Sequence, residues 1–155
     1  MKKLIIKKGQ ILQQPGDFNT KVYQVKSGLL RSYSIDENGK EHIFMFAPEG
    51  WIIGDGVAPD QASELFIDAL EDSIVIQQEK GSSPGPDVGK LIRRIGVLQQ
   101  RIIMLMSASA LERYEHFVET YPDIVQRVPQ KMIASYLGVT PEALSTVKRQ
   151  RQKRD

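Results

Sequence analysis

Through its first half the chain alternates between apolar and polar positions in short runs broken by turn-forming residues. Leu4–Ile6 and Gln10–Gln13 are brief stretches of this kind, and Pro15-Gly16-Asp17 marks a turn after them. Val22–Lys26 and Leu29–Ile35 flank Ser27-Gly28, a pair that predicts a two-residue hairpin. In the second of these runs Leu29, Tyr33 and Ile35 alternate with Leu30, Ser32 and Ser34, so Arg31 falls on the mainly apolar face. Asp36-Glu37-Asn38-Gly39 turns the chain into His42–Phe46, and Gly50 precedes Trp51-Ile52-Ile53. Leu65–Leu70 and Ser73–Gln78 complete the set. Many short strands with regular turns predict an antiparallel sandwich or roll.

The period then changes. Residues 79–87, EKGSSPGPD, read as an exposed linker rich in Gly, Ser and Pro. A long helix is predicted from Val88 to about Met106, because Leu91, Ile95, Leu98, Ile102 and Leu105 recur at intervals of four and three residues, a heptad seam. Ile92, Ile103 and Met106 form a second apolar flank. One seam alone would also serve as intramolecular core. Two apolar faces predict one for the chain's own domain and one for a second copy, hence a homodimer. Ser109 opens a further helix, Ala110–Thr120, which Tyr121-Pro122 ends.

The last periodic segment, residues 130–147, has the spacing of a helix-turn-helix. Two helices that cross closely need a small residue at the contact, here Ala134, and a residue free of a Cβ at the turn, here Gly138. Ile133, Leu137, Val139, Leu144 and Val147 supply one apolar face. Thr140 is placed to cap the second helix, with Pro141 at its first position and Glu142 in its first turn.

Charge reinforces this reading. Residues 1–126 carry 14 Lys or Arg against 17 Asp or Glu, whereas residues 127–155 carry 7 basic residues against Glu142 and Asp155. A basic C-terminal segment coupled to that turn spacing predicts double-stranded DNA as the partner. Lys148, Arg149 and Arg151 suit phosphates, giving salt-dependent affinity without sequence information. Glu142 can accept from a cytosine amino group and Thr146 can meet a thymine methyl, with Gln130, Lys131, Thr140 and Ser145 as further contact candidates. Glu142 reads equally well as a surface residue favoured by the helix dipole.

The 155 residues suffice for one core of ordinary size and a small satellite domain. The absence of cysteine excludes disulfides and cysteine-ligated iron–sulfur clusters and is compatible with the cytoplasm, the expected location. No apolar run matches a membrane span. No catalytic triad spacing, metal quartet or phosphate loop is present, so no enzyme is predicted.

In their order, the stretches 7–17 (KKGQILQQPGD), 22–33 (VYQVKSGLLRSY), 36–55 (DENGKEHIFMFAPEGWIIGD), 67–73 (IDALEDS) and VPQKMIASYLGVTPEALS resemble the Crp/Fnr family of bacterial transcription regulators. The last stretch is similar to the family's short-winged branch. The resemblance implies an α+β fold: an antiparallel β-roll of the cyclic-nucleotide-binding, double-stranded β-helix type at 1–87, a dimerising helix at 88–108 and a helix-turn-helix domain at 109–155. It also makes RNA polymerase a candidate partner. Family members carry helices before the first strand and a wing after the reading helix, and neither lies in this sequence.

The departures concern both sites. Where cAMP-binding members offer a Glu to the ribose and an Arg to the cyclic phosphate, this chain has Asp55 and a residue near Ser63. No Arg or Lys lies between Lys40 and Lys80. The effector pocket implied is Gly54, Asp55, Gly56, Ser63 and Glu64, in which Asp55, Asp60 and Glu64 would repel a phosphate; cAMP is not expected to bind in the usual way. Haem would need His42 or His116, each better read as an ordinary surface or core histidine, so no cofactor is assigned and the effector stays open. In the reading helix, the places where the family's well-studied activator uses Arg, Glu and Arg hold Pro141, Glu142 and Thr146. Two readings follow: a dimeric DNA-binding regulator, or a ligand-binding or protein-interaction module of the same fold without sequence-specific DNA binding.

Overall fold

A computed structural model describes residues 1–81 and 88–153. The chain divides into two compact units, Met1–Pro84 and Gly85–Asp155. The first unit contains β1 (Lys2–Ile6), β2 (Ile11–Gln13), β3 (Lys21–Ser27), β4 (Leu30–Ile35), β5 (Glu41–Ala47), β6 (Ile52–Ile53), β7 (Phe66–Ala69) and β8 (Ser73–Glu79). These form two antiparallel four-stranded sheets, ordered β1-β8-β3-β6 and β2-β7-β4-β5. Residues from both sheets meet in one core, with Val25, Ile53 and Val75 from the first and Leu30, Met45 and Ile67 from the second. This is the expected roll.

One turn differs from expectation. Ser27-Gly28 does not close a hairpin: β3 lies between β8 and β6, whereas β4 lies between β7 and β5. Gly28, at φ +89°, carries the chain from one sheet to the other. Its N–H donates to Glu49 Oε1 at 2.9 Å, the Leu29 N–H donates to Ser73 Oγ at 3.2 Å, and Leu29 O accepts from the Leu70 N–H at 2.8 Å. A hairpin turn and a corner both call for a left-handed residue, so the local sequence is the same for either.

In β4 both faces are buried, which the polar alternation conceals. Leu30 enters the core between the sheets. On the other face Arg31 stands opposite Asp68 of β7, its guanidinium bonding both carboxylate oxygens at 2.9 and 3.0 Å and Glu41 at 2.6 Å. It also lies 4.0 Å from the ring centre of Tyr33, which stacks on Phe66. Burial opposes the charge, but the hydrogen bonds and charges of Asp68 and Glu41 outweigh it and hold the guanidinium above its ordinary pKa.

The second unit is helical: α1 (Val88–Ser107), α2 (Ala110–Thr120), α3 (Ile124–Arg127), α4 (Gln130–Leu137) and α5 (Pro141–Gln152). Ser109 caps α2 in a capping box with Glu112. The four-residue α3 is too short to leave a periodic signal in the sequence. Phe117, Tyr121 and Tyr136 form a ring cluster between α2 and α4, with centres 5.3 to 5.7 Å apart. Arg101 of α1 lies over Tyr136 at 3.7 Å. Arg113 of α2 donates to three carbonyls, Leu105 O (2.6 Å), Ala108 O (3.1 Å) and Leu137 O (3.2 Å).

Candidate functional site

The helix-turn-helix is built as its spacing predicts. Gly138 adopts the left-handed conformation (φ 65°, ψ 34°), and the N–H groups of Gly138 and Val139 satisfy Ser135 O at 3.2 Å and Ala134 O at 3.0 Å. Thr140 caps α5 by accepting from the Ala143 N–H at 3.2 Å, and Pro141 occupies the first turn. Ile133, Ala134, Leu137, Leu144 and Val147 are buried together. Their closure turns Glu142, Ser145, Thr146 and Arg149 outward on α5, with Thr140 exposed at its start and Gln130 and Lys131 exposed at the start of α4. Ser145 and Thr146 each donate their hydroxyl hydrogen to the helix, to Pro141 O and Glu142 O, which leaves their oxygens free to accept. Lys148 is half-buried, and Arg151 turns back toward the ring of Tyr114 at 5.9 Å rather than standing free.

On α1 the heptad seam is open. Ile95 and Ile102 are 46% and 57% exposed, and Leu98 and Leu105 are half-buried. The Leu91 side chain lies outside the described residues. Ile92, Ile103 and Met106 are exposed as well, and among the described side chains of α1 the buried apolar one is Met104.

In the roll, the five residues of the implied effector pocket do not all meet. Asp55 and Ser63 are joined by Gln13, whose Nε2 donates to Asp55 Oδ2 (2.8 Å), Ser63 Oγ (2.7 Å) and Leu65 O (3.1 Å). Gly54 packs against β3, where an added Cβ would stand 3.2 Å from Lys21 O. Gly56 and Glu64 are exposed, so Glu64 is not part of this cluster.

The missing partner is Lys80. Its ammonium bonds Asp55 Oδ1, Thr20 Oγ1 and Val57 O, the last at 2.8 Å, and Thr20 also donates to Asp55 at 3.0 Å. Composition placed Lys80 in the exposed linker. Instead β8 runs to Glu79 and the Lys80 side chain points inward, with 15% of it exposed. Residues 82–87 of that expected linker lie outside the described residues. Burial would push the Asp55 carboxyl up, but hydrogen bonds from Lys80, Ser63 and Thr20, with the charge of Lys80, hold it below the ordinary carboxylate value. Beside the cluster a cleft of about 160 Å³ is lined by Gln13, Asp17, Asn19, Thr20, Lys21 and Tyr23 among others. Gln13, Thr20 and Lys80 escaped the sequence reading because a single polar residue in or after a strand carries no periodic mark.

The two histidines make side-chain bonds of their own on the surface, His42 with Asp36 at 2.8 Å and His116 with Thr120 at 2.9 Å. Among the described residues no group of three or more His, Cys, Asp or Glu could hold a metal ion, and no helix is long and apolar enough to cross a membrane.

The cyclic nucleotide-binding domain family matches residues 3–82. An anaerobic regulatory protein from Haemophilus influenzae is 31% identical over 66% of the chain, and a fumarate and nitrate reduction regulatory protein from Yersinia pestis is 30% identical over 90% of it. The chain spans 38% of the first relative's length and 64% of the second's. Among solved structures, FixK2 from Bradyrhizobium japonicum covers 99% of the chain with a TM-score of 0.79 and 22% identity, the chain covering 85% of it. A Crp/Fnr-family regulator from Thermus thermophilus covers 99% with a TM-score of 0.73 and 18% identity, and is itself covered over 87%. The chain belongs to the cyclic nucleotide-binding domain family.

Proposed function

We propose that the chain is a homodimeric DNA-binding transcriptional regulator. Residues 1–87 form its sensor roll, 88–108 the dimerising helix and 109–155 the DNA-binding domain. The observation that carries this is the closed α4–Gly138–α5 pair, which buries Leu144 and Val147 and leaves Glu142, Ser145, Thr146 and Arg149 on one outward face. Such a helix fits the major groove, and two copies related by a dimer axis read half-sites one DNA turn apart. The open seam on α1 supports the second copy. Relatives named as regulatory proteins point the same way.

Phosphate affinity is assigned to Lys131, Lys148 and Arg149, with Arg151 contributing less because it leans on Tyr114. Base reading is assigned to Glu142 and Thr146. RNA polymerase is the partner through which such a protein would act, and no catalytic step is assigned. The roll does not take cAMP in the usual way. The cation at its Asp55–Ser63 corner is the chain's own Lys80, already committed to Asp55, and among the described residues no guanidinium is bonded there to meet a cyclic phosphate.

The test is binding-site selection followed by fluorescence titration at several salt concentrations. A regulator gives a steep salt slope and prefers selected over random DNA by about 10³-fold or more. A ligand-binding module without DNA affinity gives neither. Lys148→Ala and Arg149→Ala should each lower the slope by about 1 and weaken all sequences alike, whereas Glu142→Ala should change sequence preference.

A further inference from the structure

The corner of the roll around Asp55 has a donor and acceptor count that defines its ligand. A primary ammonium has three N–H donors and no acceptor. Three oxygens converge here, Asp55 Oδ1, Thr20 Oγ1 and Val57 O, and the Lys80 ammonium bonds all three. Asp55 is nearly sealed from solvent, with 2% of its side chain exposed, so its charge demands a cation. A fourth acceptor stands unused. Gln13 is 98% buried and the two N–H groups on its Nε2 face three acceptors, which fixes the orientation of its amide; Oε1 has no partner. Gln13 and Thr20 both line the adjacent cleft, as does Asp17. The unpaired atom is therefore an acceptor. The cleft carries Asp17 and Lys21, and Lys21 is paired with Glu79 at 2.6 Å, so the corner favours a donor-bearing cation over an anion.

We propose that Thr20, Asp55 and Val57 form a primary-ammonium site, filled in this state by the chain's own Lys80, and that a compact amine carrying a second hydrogen-bond donor takes the same place when Lys80 leaves. The second donor goes to Gln13 Oε1. Lys80 directly follows β8 and stands eight residues before the first residue of α1. Its departure removes the side-chain tie between the end of β8 and Asp55, so ligand binding is coupled to loosening of residues 78–81. Lys80 is tethered and acts at high effective concentration, so an external amine competes only when it is abundant or when Lys80 is removed.

This deepens the sensor role proposed above, but its test involves no DNA, so the two succeed or fail separately. The probe is 2-hydroxyethylammonium. Its trimethylated counterpart keeps the charge and the hydroxyl but has no N–H, and inorganic phosphate is the anionic control. Unfolding of Lys80→Ala, followed by the fluorescence of Trp51, the single tryptophan, should shift to higher temperature in a saturable way with the primary amine alone. The shift should vanish in Asp55→Asn/Lys80→Ala. In the wild-type chain the apparent affinity should be at least about tenfold weaker, because the site is open in only a fraction of molecules. The second measurement uses the wild-type chain alone: hydrogen exchange of residues 78–81 should quicken with the primary amine and not with the trimethylated one. A shift equal for both amines, no saturable shift, a shift that survives loss of Asp55, or exchange that does not respond to the primary amine overturns the proposal. So does a response to phosphate in place of the amine.

Discussion

Replacing Gly28 with alanine should unfold the roll more readily than its small size suggests. Gly28 sits at φ +89°, where a Cβ costs roughly 1–2 kcal/mol for any L-residue. That term alone is shared with Gly9, at φ +80°, where an added Cβ meets nothing within 4 Å. At Gly28 the same atom would stand 2.2 Å from Ser73 Oγ, 2.7 Å from Asp72 O and 2.8 Å from Ser73 Cα. Two of these three are backbone, so the contact cannot be relieved by a side-chain rotation. Ser73 Oγ accepts from the buried Leu29 N–H and donates to Glu71 O, and displacing it leaves a buried donor unpaired at about 1–3 kcal/mol. The sum for Gly28→Ala is about 2–5 kcal/mol, against about 1–2 for Gly9→Ala. Urea unfolding read by Trp51 reports on the roll. Equal costs at the two glycines within about 0.5 kcal/mol, a typical scatter for independent sites, would refute the account of the corner.

Other outcomes follow from charge and exposure. Asp68→Leu should cost about 3–5 kcal/mol, because Arg31 loses its two-bond partner while remaining buried; adding Arg31→Met should recover more than half of it. Strict additivity in that double-mutant cycle would show that the pair does not act as a unit. Asp55 has a folded-state pKa below its unfolded value of about 3.9, so its contribution is complete above about pH 5 and fades as pH falls through the folded value. The stability gap between wild type and Asp55→Asn in urea should therefore shrink between pH 5 and pH 3, and a constant gap would contradict it. Leu98→Glu with Ile102→Glu on the open seam of α1 should give monomers by light scattering, and an unchanged mass would disprove the dimer surface.

What the sequence disclosed depended on how far each element reaches along the chain. The helix-turn-helix was legible residue by residue, because Ala134, Gly138, Thr140 and Pro141 each answer a local backbone demand. The capped start of α2 at Ser109 was legible for the same reason. The eight strands were legible as segments, since turns and short apolar runs are local too. Which strands pair was not, because Ser27-Gly28 satisfies a hairpin and a sheet corner equally well, and only Glu49, Leu70 and Ser73 decide between them. The effector corner was read in part. Asp55 and Ser63 stood out by resemblance, whereas Lys80 lies 25 residues from Asp55 inside a stretch whose composition announces a linker. Charge pairing at that distance leaves no period to detect.

The Arg113 guanidinium has a mechanical consequence. One planar group of fixed shape ties the last turn of α1, through Leu105 O and Ala108 O, to the end of α4 at Leu137 O, directly before the turn into α5. Carbonyls at helix ends carry the negative pole of the backbone dipoles, and the cation satisfies two helix ends at once. A displacement of the end of α1 therefore loads the same guanidinium that holds the end of α4. In the proposed DNA-binding role, this joins the long helix to the start of the reading helix.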